Sequence, residues 1–119
     1  MDKITKLNLL FDYYGDFLTK KQKDIFELYH INDLSLGEIA DNKGISRQGV
    51  YDILQRTEHI LYNFEEKLGM VAKHFTQKKE IEEILTILKN LKPGISYEYQ
   101  EVYKQVFNRV VSLLKEGGG

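Results

Sequence analysis

The chain has 119 residues, the size of one ordinary domain or of a small domain with a helical extension. Its hydrophobic fraction of 42% and charged fraction of 29% are typical of a globular protein that buries a core. The absence of cysteine excludes thiol catalysis, cysteine-rich zinc sites and a secreted disulfide framework.

The start of the chain lacks the basic segment and following apolar stretch of a signal peptide. No run approaches the roughly 18 apolar residues of a membrane span. We therefore expect a cytoplasmic protein with no membrane partner.

Helical periodicity extends through almost the whole chain, whose single proline is Pro93. Apolar residues at steps of three and four over residues 4–18 predict a first helix that ends near Gly15. Thr19 is a candidate N-cap for the second helix, and residues 32–33 end it.

The third and fourth helices carry clear start and stop signals. Ser35 and Glu38 have the spacing of a capping box, Gly44 suits a left-handed C-terminal position, and Ser46 is the next candidate N-cap. The apolar stripe that follows predicts a fourth helix of about 28 residues, roughly 42 Å long at 1.5 Å per residue. The stripe consists of Val50, Leu54, Thr57, Leu61, Phe64, Leu68, Val71 and Phe75.

Two further helices are predicted near the C-terminus. Thr76 is a candidate cap for the fifth, which residues 92–94 end, and Ser96 is a candidate cap for the sixth. We therefore predict an all-α fold of about six helices with a long fourth helix and a C-terminal helical pair.

Residues 35–56 have the pattern of two short helices that cross at a steep angle. Ala40 lets the helices approach closely and Gly44 supplies the turn. The predicted shared core consists of Ile39, Ile45, Val50 and Leu54.

This stretch resembles known proteins. Residues 19–56 resemble region 4 of sigma factors, a helix-turn-helix whose second helix reads the major groove. Residues 8–75 resemble the YlxM family of small bacterial helix-turn-helix proteins. The segments that carry the resemblance are LLFDYY at 9–14, LTKKQ at 18–22, SLGEIA at 35–40 and SRQGVYD at 46–52.

The resemblance implies a DNA-binding protein of transcription regulation. The YlxM family is usually encoded beside the signal-recognition-particle GTPases, which implies a connection with that pathway. The alternative is an adaptor that contacts a protein or RNA of that machinery without binding DNA; a module that contacts sigma factor or polymerase is a third possibility.

We predict three segments on this basis. Residues 1–75 form the helix-turn-helix domain, with its N-terminal helix and long recognition helix. Residues 76–116 form a C-terminal helical pair packed on that domain, and residues 117–119 form a disordered tail.

The recognition surface follows from the helical wheel with Val50 facing the core. Three side chains are predicted to approach bases, namely Gln48, Tyr51 and Gln55. Arg47, Arg56 and Lys43 are predicted to hold phosphates. The candidate DNA-binding residues are Lys43, Ser46, Arg47, Gln48, Tyr51, Gln55 and Arg56. A solvated polar face is the alternative interpretation.

Charge and two residues of the motif oppose strong DNA binding. The net charge is −1, and residues 19–59 contain six basic against seven acidic residues. Gly49 stands where the sigma-like pattern usually has alanine, and Asp52 would face phosphates unfavourably.

The later part of the apolar stripe has two interpretations. It is either core packed against the C-terminal helices or the contact surface of a homodimer. The residues concerned are Leu61, Phe64, Leu68, Val71 and Phe75.

Nothing in the sequence predicts catalysis. The three histidines, His30, His59 and His74, lack the spacing of a helical metal pair, and no glycine-rich loop follows a strand. We expect a protein that is not an enzyme, with no catalytic residues, no metal site and no cofactor.

Overall fold

A computed structural model describes residues 2–117, which divide into two compact units that meet in sequence between Val71 and Ala72. Within these residues there are six α-helices and no β-strand, so the predicted all-α fold is confirmed. The helices are α1 (Lys3–Tyr14), α2 (Lys20–Phe26), α3 (Leu36–Lys43), α4 (Arg47–Leu68), α5 (Met70–Leu91) and α6 (Gln100–Gly117). None of them is long and apolar enough to cross a membrane.

Hydroxyl side chains cap the N-termini of α2 and α3 by accepting hydrogen bonds from backbone amides. The Thr19 and Ser35 hydroxyls each accept from the amide three residues on, and Gln22 and Glu38 accept from the cap amides in return. Gly44 ends α3 with φ +68°, a conformation that glycine adopts without steric cost. The predicted starts of α2 and α3 and the predicted end of α3 are therefore confirmed.

The first unit has two adjoining cores, both of which include residues of α4. The first packs α1 against the second half of α4 and contains Leu7, Leu10, Phe11, Tyr14, Leu18, Phe26, Leu61 and Val71. The second joins α2, α3 and the first half of α4 and contains Ile25, Ile39, Ala40, Val50 and Leu54. Ile45, predicted as core, is partly buried against this second cluster.

The predicted end of the fourth helix is wrong. α4 has 22 residues and ends at Leu68, because Gly69 takes the left-handed conformation with φ +63°. Thr76, predicted to cap a helix, lies inside α5, where its hydroxyl donates to the Ala72 carbonyl at 3.1 Å. The apolar steps of three and four continue through the break, so periodicity alone did not reveal it.

The C-terminal boundaries also differ from the prediction. Ser96 precedes a short 3-10 turn at Tyr97–Tyr99, and α6 begins only at Gln100. The predicted tail overlaps α6, which ends at Gly117; positions 118 and 119 lie outside the described residues.

A buried hydrogen-bond network holds the α4–α5 turn against α1. The Tyr14 hydroxyl donates to Glu65 Oε1 at 2.7 Å and accepts from the Met70 amide at 3.0 Å. The same Glu65 oxygen accepts from the Val71 amide at 2.9 Å. Burial, followed by the bond to the Glu65 carboxylate, raises the pKa of the Tyr14 hydroxyl.

Tyr14→Phe should therefore lower the free energy of unfolding by about 1–3 kcal/mol, because the Met70 amide and Glu65 lose a buried partner. Urea denaturation followed by far-UV circular dichroism measures the change. Tyr97→Phe, at a position that is 95% exposed, is the matched control and should leave the unfolding midpoint in place. Equal midpoints for both variants would contradict the role of the network.

Gly69→Ala should destabilise the chain by about 1 kcal/mol, the cost of a Cβ in the left-handed region. The cost is conformational, since an added Cβ would meet nothing within 4 Å. Gly94→Ala is the control, because that site is equally open and has no positive φ. Thermal melts of the two variants should differ, with only Gly69→Ala melting below the wild type.

Candidate nucleic-acid interface

The start of α4 is positioned by the turn that joins it to α3. After Gly44, the Ile45 amide donates back to the Ala40 carbonyl at 3.1 Å. Ser46 then caps α4, with its hydroxyl accepting from the Gly49 amide at 3.0 Å. Val50 and Leu54 are buried behind this start, so the opposite side of the helix faces outward.

The outward side carries the predicted interface. All seven candidate residues, Lys43, Ser46, Arg47, Gln48, Tyr51, Gln55 and Arg56, are exposed. Asp52 and His59, which lie on the same side of α4 at 100° per residue, are exposed as well. We call the seven residues the α4 polar face.

Three members of the α4 polar face already have partners within the chain. Ser46 caps the helix, Gln48 Nε2 donates to Asp52 Oδ1 at 2.9 Å, and Lys43 Nζ lies 3.6 Å from Asp24 Oδ2. A base or phosphate contact by Gln48 or Lys43 therefore replaces an existing interaction. The net gain from these two side chains is correspondingly smaller.

The other four members are Arg47, Tyr51, Gln55 and Arg56. Among the described residues, neither arginine forms an ion pair. Arg47 lies beside the start of α3, since a Cβ added at Gly37 would be 3.9 Å from its Cδ and Nε. The two arginines are thus the side chains most available to an anion.

The glycine at position 49 has a local explanation. A Cβ at Gly49 would lie 3.1 Å from Ser46 Oγ, which is tighter than ordinary contact. Alanine there would crowd the hydroxyl that caps α4. Glycine has a lower helix propensity than alanine, which costs about 1 kcal/mol, but it leaves the Ser46 cap of α4 undisturbed.

The structure brings together one polar cluster that the sequence analysis did not find. His30, in a π-helical turn at Glu27–Ile31, lies with its Nε2 3.5 Å from Glu58 Oε1, and Lys3 Nζ lies 3.8 Å from Glu58 Oε2. The His30 ring packs on Phe26, with ring centroids 4.5 Å apart. Three separate segments supply these groups, so no local motif marked them.

Burial of this histidine disfavours its charged form. Burial lowers the pKa of His30, and the Glu58 carboxylate opposes that shift without cancelling it. At 3.5 Å the carboxylate is too distant for a good hydrogen bond, and His30 Nε2 has no hydrogen-bond partner within the described chain.

The two units differ in charge. Residues 2–71 contain nine Lys and Arg against twelve Asp and Glu, a net charge of −3. Residues 72–117 contain eight against six, a net charge of +2, which together with −3 gives the −1 of the whole chain. The α4 polar face therefore belongs to the acidic unit.

The later part of the apolar stripe is divided between α4 and α5. Leu61 and Val71 are buried in the core of the first unit, and Phe64 stacks on Tyr14 with ring centroids 5.6 Å apart. Leu68 is 57% exposed just before the break at Gly69, and Phe75 lies in the second unit.

No group of three or more His, Asp or Glu within residues 2–117 is arranged to hold a metal ion.

Comparison with known proteins agrees with this geometry. The sequence model of the UPF0122 family, described as "Putative helix-turn-helix protein, YlxM / p13 like", matches residues 1–107. The chain belongs to this family. The sequence resemblance to YlxM proteins is thereby confirmed.

Individual UPF0122 proteins match most of the chain. The protein of Desulforamulus reducens is 41% identical over 111 residues, covering 93% of this chain and 95% of the relative. That of Acetivibrio thermocellus is 44% identical over 116 residues, covering 97% and 99%. That of Caldanaerobacter subterraneus subsp. tengcongensis is 54% identical over 83 residues, covering 70% and 71%.

The buried histidine should make the stability of this UPF0122 protein depend on pH. Because the folded-state pKa of His30 lies below its ordinary value of 6.5, the unfolded chain takes up the proton first as the pH falls. The contribution of neutral His30 to the free energy of unfolding is complete above about pH 6.5. It is lost as the pH falls toward the folded-state pKa of His30, by at most about 1.4 kcal/mol per pH unit.

Urea denaturation at intervals from pH 7.5 to 5 measures this effect. His30→Gln should flatten the profile in that window. His59→Gln, at an exposed position, is the control and should keep the wild-type profile. An unchanged slope in His30→Gln would remove the assignment to this histidine.

Proposed function

We propose that this protein is a cytoplasmic, non-enzymatic regulator that binds double-stranded DNA as a homodimer through the α4 polar face. One observation carries the proposal: polar residues suited to DNA are exposed at the start of α4, directly opposite the side chains that fix the helix in its core. A helix held in this way can enter a major groove without rearrangement of the unit.

The side chains divide into two roles. Arg47 and Arg56, at the two edges of the α4 polar face, hold phosphates, since both lack an ion-pair partner among the described residues. Tyr51 and Gln55 approach base edges, and Gln48 does so after release from Asp52. Lys43 contributes only if a phosphate displaces Asp24.

The acidic charge of the first unit limits the strength of this binding. Each phosphate contact contributes about −0.9 to the slope of log affinity against log salt. Three or four contacts per chain, from Arg47, Arg56, Lys43 and the exposed Lys20 or Lys21, give a dimer a slope of roughly −5 to −7. Repulsion from the surrounding carboxylates acts in the opposite direction. Binding is therefore expected mainly at low ionic strength.

A fluorescence-anisotropy titration that starts near 50 mM salt tests the proposal, with the duplex upstream of the protein's own gene among the probes. Arg47→Ala should weaken binding to all duplexes and make the slope shallower by about one unit per chain. Gln55→Ala should instead reduce preference at particular base pairs, by roughly 1–3 kcal/mol.

Lys67→Ala is the matched control, because it removes an exposed positive charge from the last turn of the same helix. It should change affinity far less than Arg47→Ala. If no duplex binds better than micromolar at the lowest salt, or if both variants weaken binding equally, the DNA-binding proposal fails.

An adaptor without DNA contact is the second candidate. The net charge of −3 on residues 2–71 favours the form of this candidate in which the partner is a protein, because such a surface repels the phosphate backbone of DNA and of RNA alike. The resemblance to YlxM proteins points to a protein or RNA of the signal-recognition machinery as the partner. Retention of those GTPases or their RNA by the immobilised chain, with loss in Arg47→Ala and no DNA binding, would support it.

A further inference from the structure

The second unit leaves apolar side chains exposed along both of its helices. Among residues 72–115, whose side chains are described, none is buried. The Tyr103 hydroxyl donates to the Leu88 carbonyl near the connecting turn, and Leu114 shares a cleft with Ile81 further along. α5 and α6 therefore form an antiparallel hairpin.

Each helix of the hairpin has two apolar edges. The half-buried edges, where the helices meet, contain Ile81, Leu85 and Leu88 on α5 and Tyr103, Phe107, Val110 and Leu114 on α6. The second edges are between 41% and 65% exposed and contain Ile84, Ile87 and Leu91 on α5 and Val102, Val106 and Leu113 on α6.

The two exposed edges lie on the same side of the hairpin. Each residue of a helix is rotated by about 100° from the one before it. Measured in the N-to-C direction, the exposed edge lies roughly 100° before the half-buried edge on both α5 and α6. Antiparallel helices turn in opposite senses when they are viewed from one end of the hairpin. Because their half-buried edges face each other, equal offsets place both exposed edges on the same side of the hairpin. We call the six exposed residues of these edges the hairpin apolar face.

We propose that the hairpin apolar face binds the same face of a second copy of this chain, forming an antiparallel four-helix bundle around a two-fold axis parallel to the helices. Apolar edges on both helices of each hairpin are what such a bundle requires. At 41–65% exposure, these six side chains present an area on the order of several hundred Å², which is comparable with the about 800 Å² that each partner contributes to a standard interface.

Charge complementarity supports a second copy as the occupant. Glu80 of α5 and Arg109 of α6 are exposed on the same side of the hairpin as the apolar edges, and neither has an ion pair within the described residues. The two-fold axis places α5 over the partner's α6. Glu80 then lies within about one helical turn of the partner's Arg109, and the pair occurs twice.

This inference rests on the dimer of the proposed function but not on its DNA contact. A DNA contact that fails in a dimeric chain counts against the α4 polar face. A chain that binds DNA as a monomer counts against the hairpin interface.

Sedimentation equilibrium of the full chain over a range of concentrations tests the interface. The wild type should have about 28 kDa, twice the 14.0 kDa of one chain. Ile87→Glu places a charge at a 65% exposed position of the face and should raise the dissociation constant about a hundredfold or more. Ile31→Glu, at a 55% exposed position of the first unit, is the control and should remain dimeric.

A charge exchange identifies the partner as a second copy. Glu80→Arg and Arg109→Glu should each weaken the dimer by about tenfold, and the double variant should return to within about threefold of the wild type. Far-UV circular dichroism establishes that every variant is folded.

Three results would overturn the interface. The first is a monomeric wild type, including one that sediments with phosphatidylglycerol vesicles, which would assign the face to lipid. The second is a dimer that Ile87→Glu leaves intact. The third is a double variant as weak as the single ones.

Discussion

The buried stripe of α4 is the constraint on which the first unit depends. Val50 and Leu54 complete the core with α2 and α3, whereas Leu61 completes the core with α1. Thr57 lies between them, fully buried, and its hydroxyl donates to the Ile53 carbonyl at 2.7 Å, so this buried hydroxyl has a partner. One helix thus joins both cores, and the rotation that buries this stripe also determines which side chains of α4 face outward.

That outward side combines features that favour and oppose contact with an anion. Its two arginines have no ion pairs within the described chain, but Lys43 and Gln48 interact with Asp24 and Asp52. The surrounding unit has a net charge of −3. Shape and local chemistry are those of a UPF0122 helix-turn-helix protein, whereas the long-range electrostatics keep any phosphate contact weak and dependent on salt.

The two units reach stability by different means. The first has two closed cores and a network in which Tyr14, Glu65 and the Met70 and Val71 amides satisfy one another. The second is a two-helix hairpin with no buried residue among 72–115, so its own contacts bury little apolar surface. This difference explains why association through the hairpin would add more to the second unit than to the first.

The sequence by itself determined the features that depend on neighbours three or four residues away. The caps at Thr19, Ser35 and Ser46, the left-handed turn at Gly44, the burial of Val50 and Leu54 and the exposure of all seven residues of the α4 polar face were predictable, because capping and amphipathicity are local. Only the tertiary structure decided the end of α4, because the apolar stripe runs unbroken past Gly69 while one backbone conformation ends the helix. It also decided the pairing of Lys43 with Asp24, of His30 with Glu58 and of Tyr14 with Glu65, since these groups come from separate helices and meet only when the cores close.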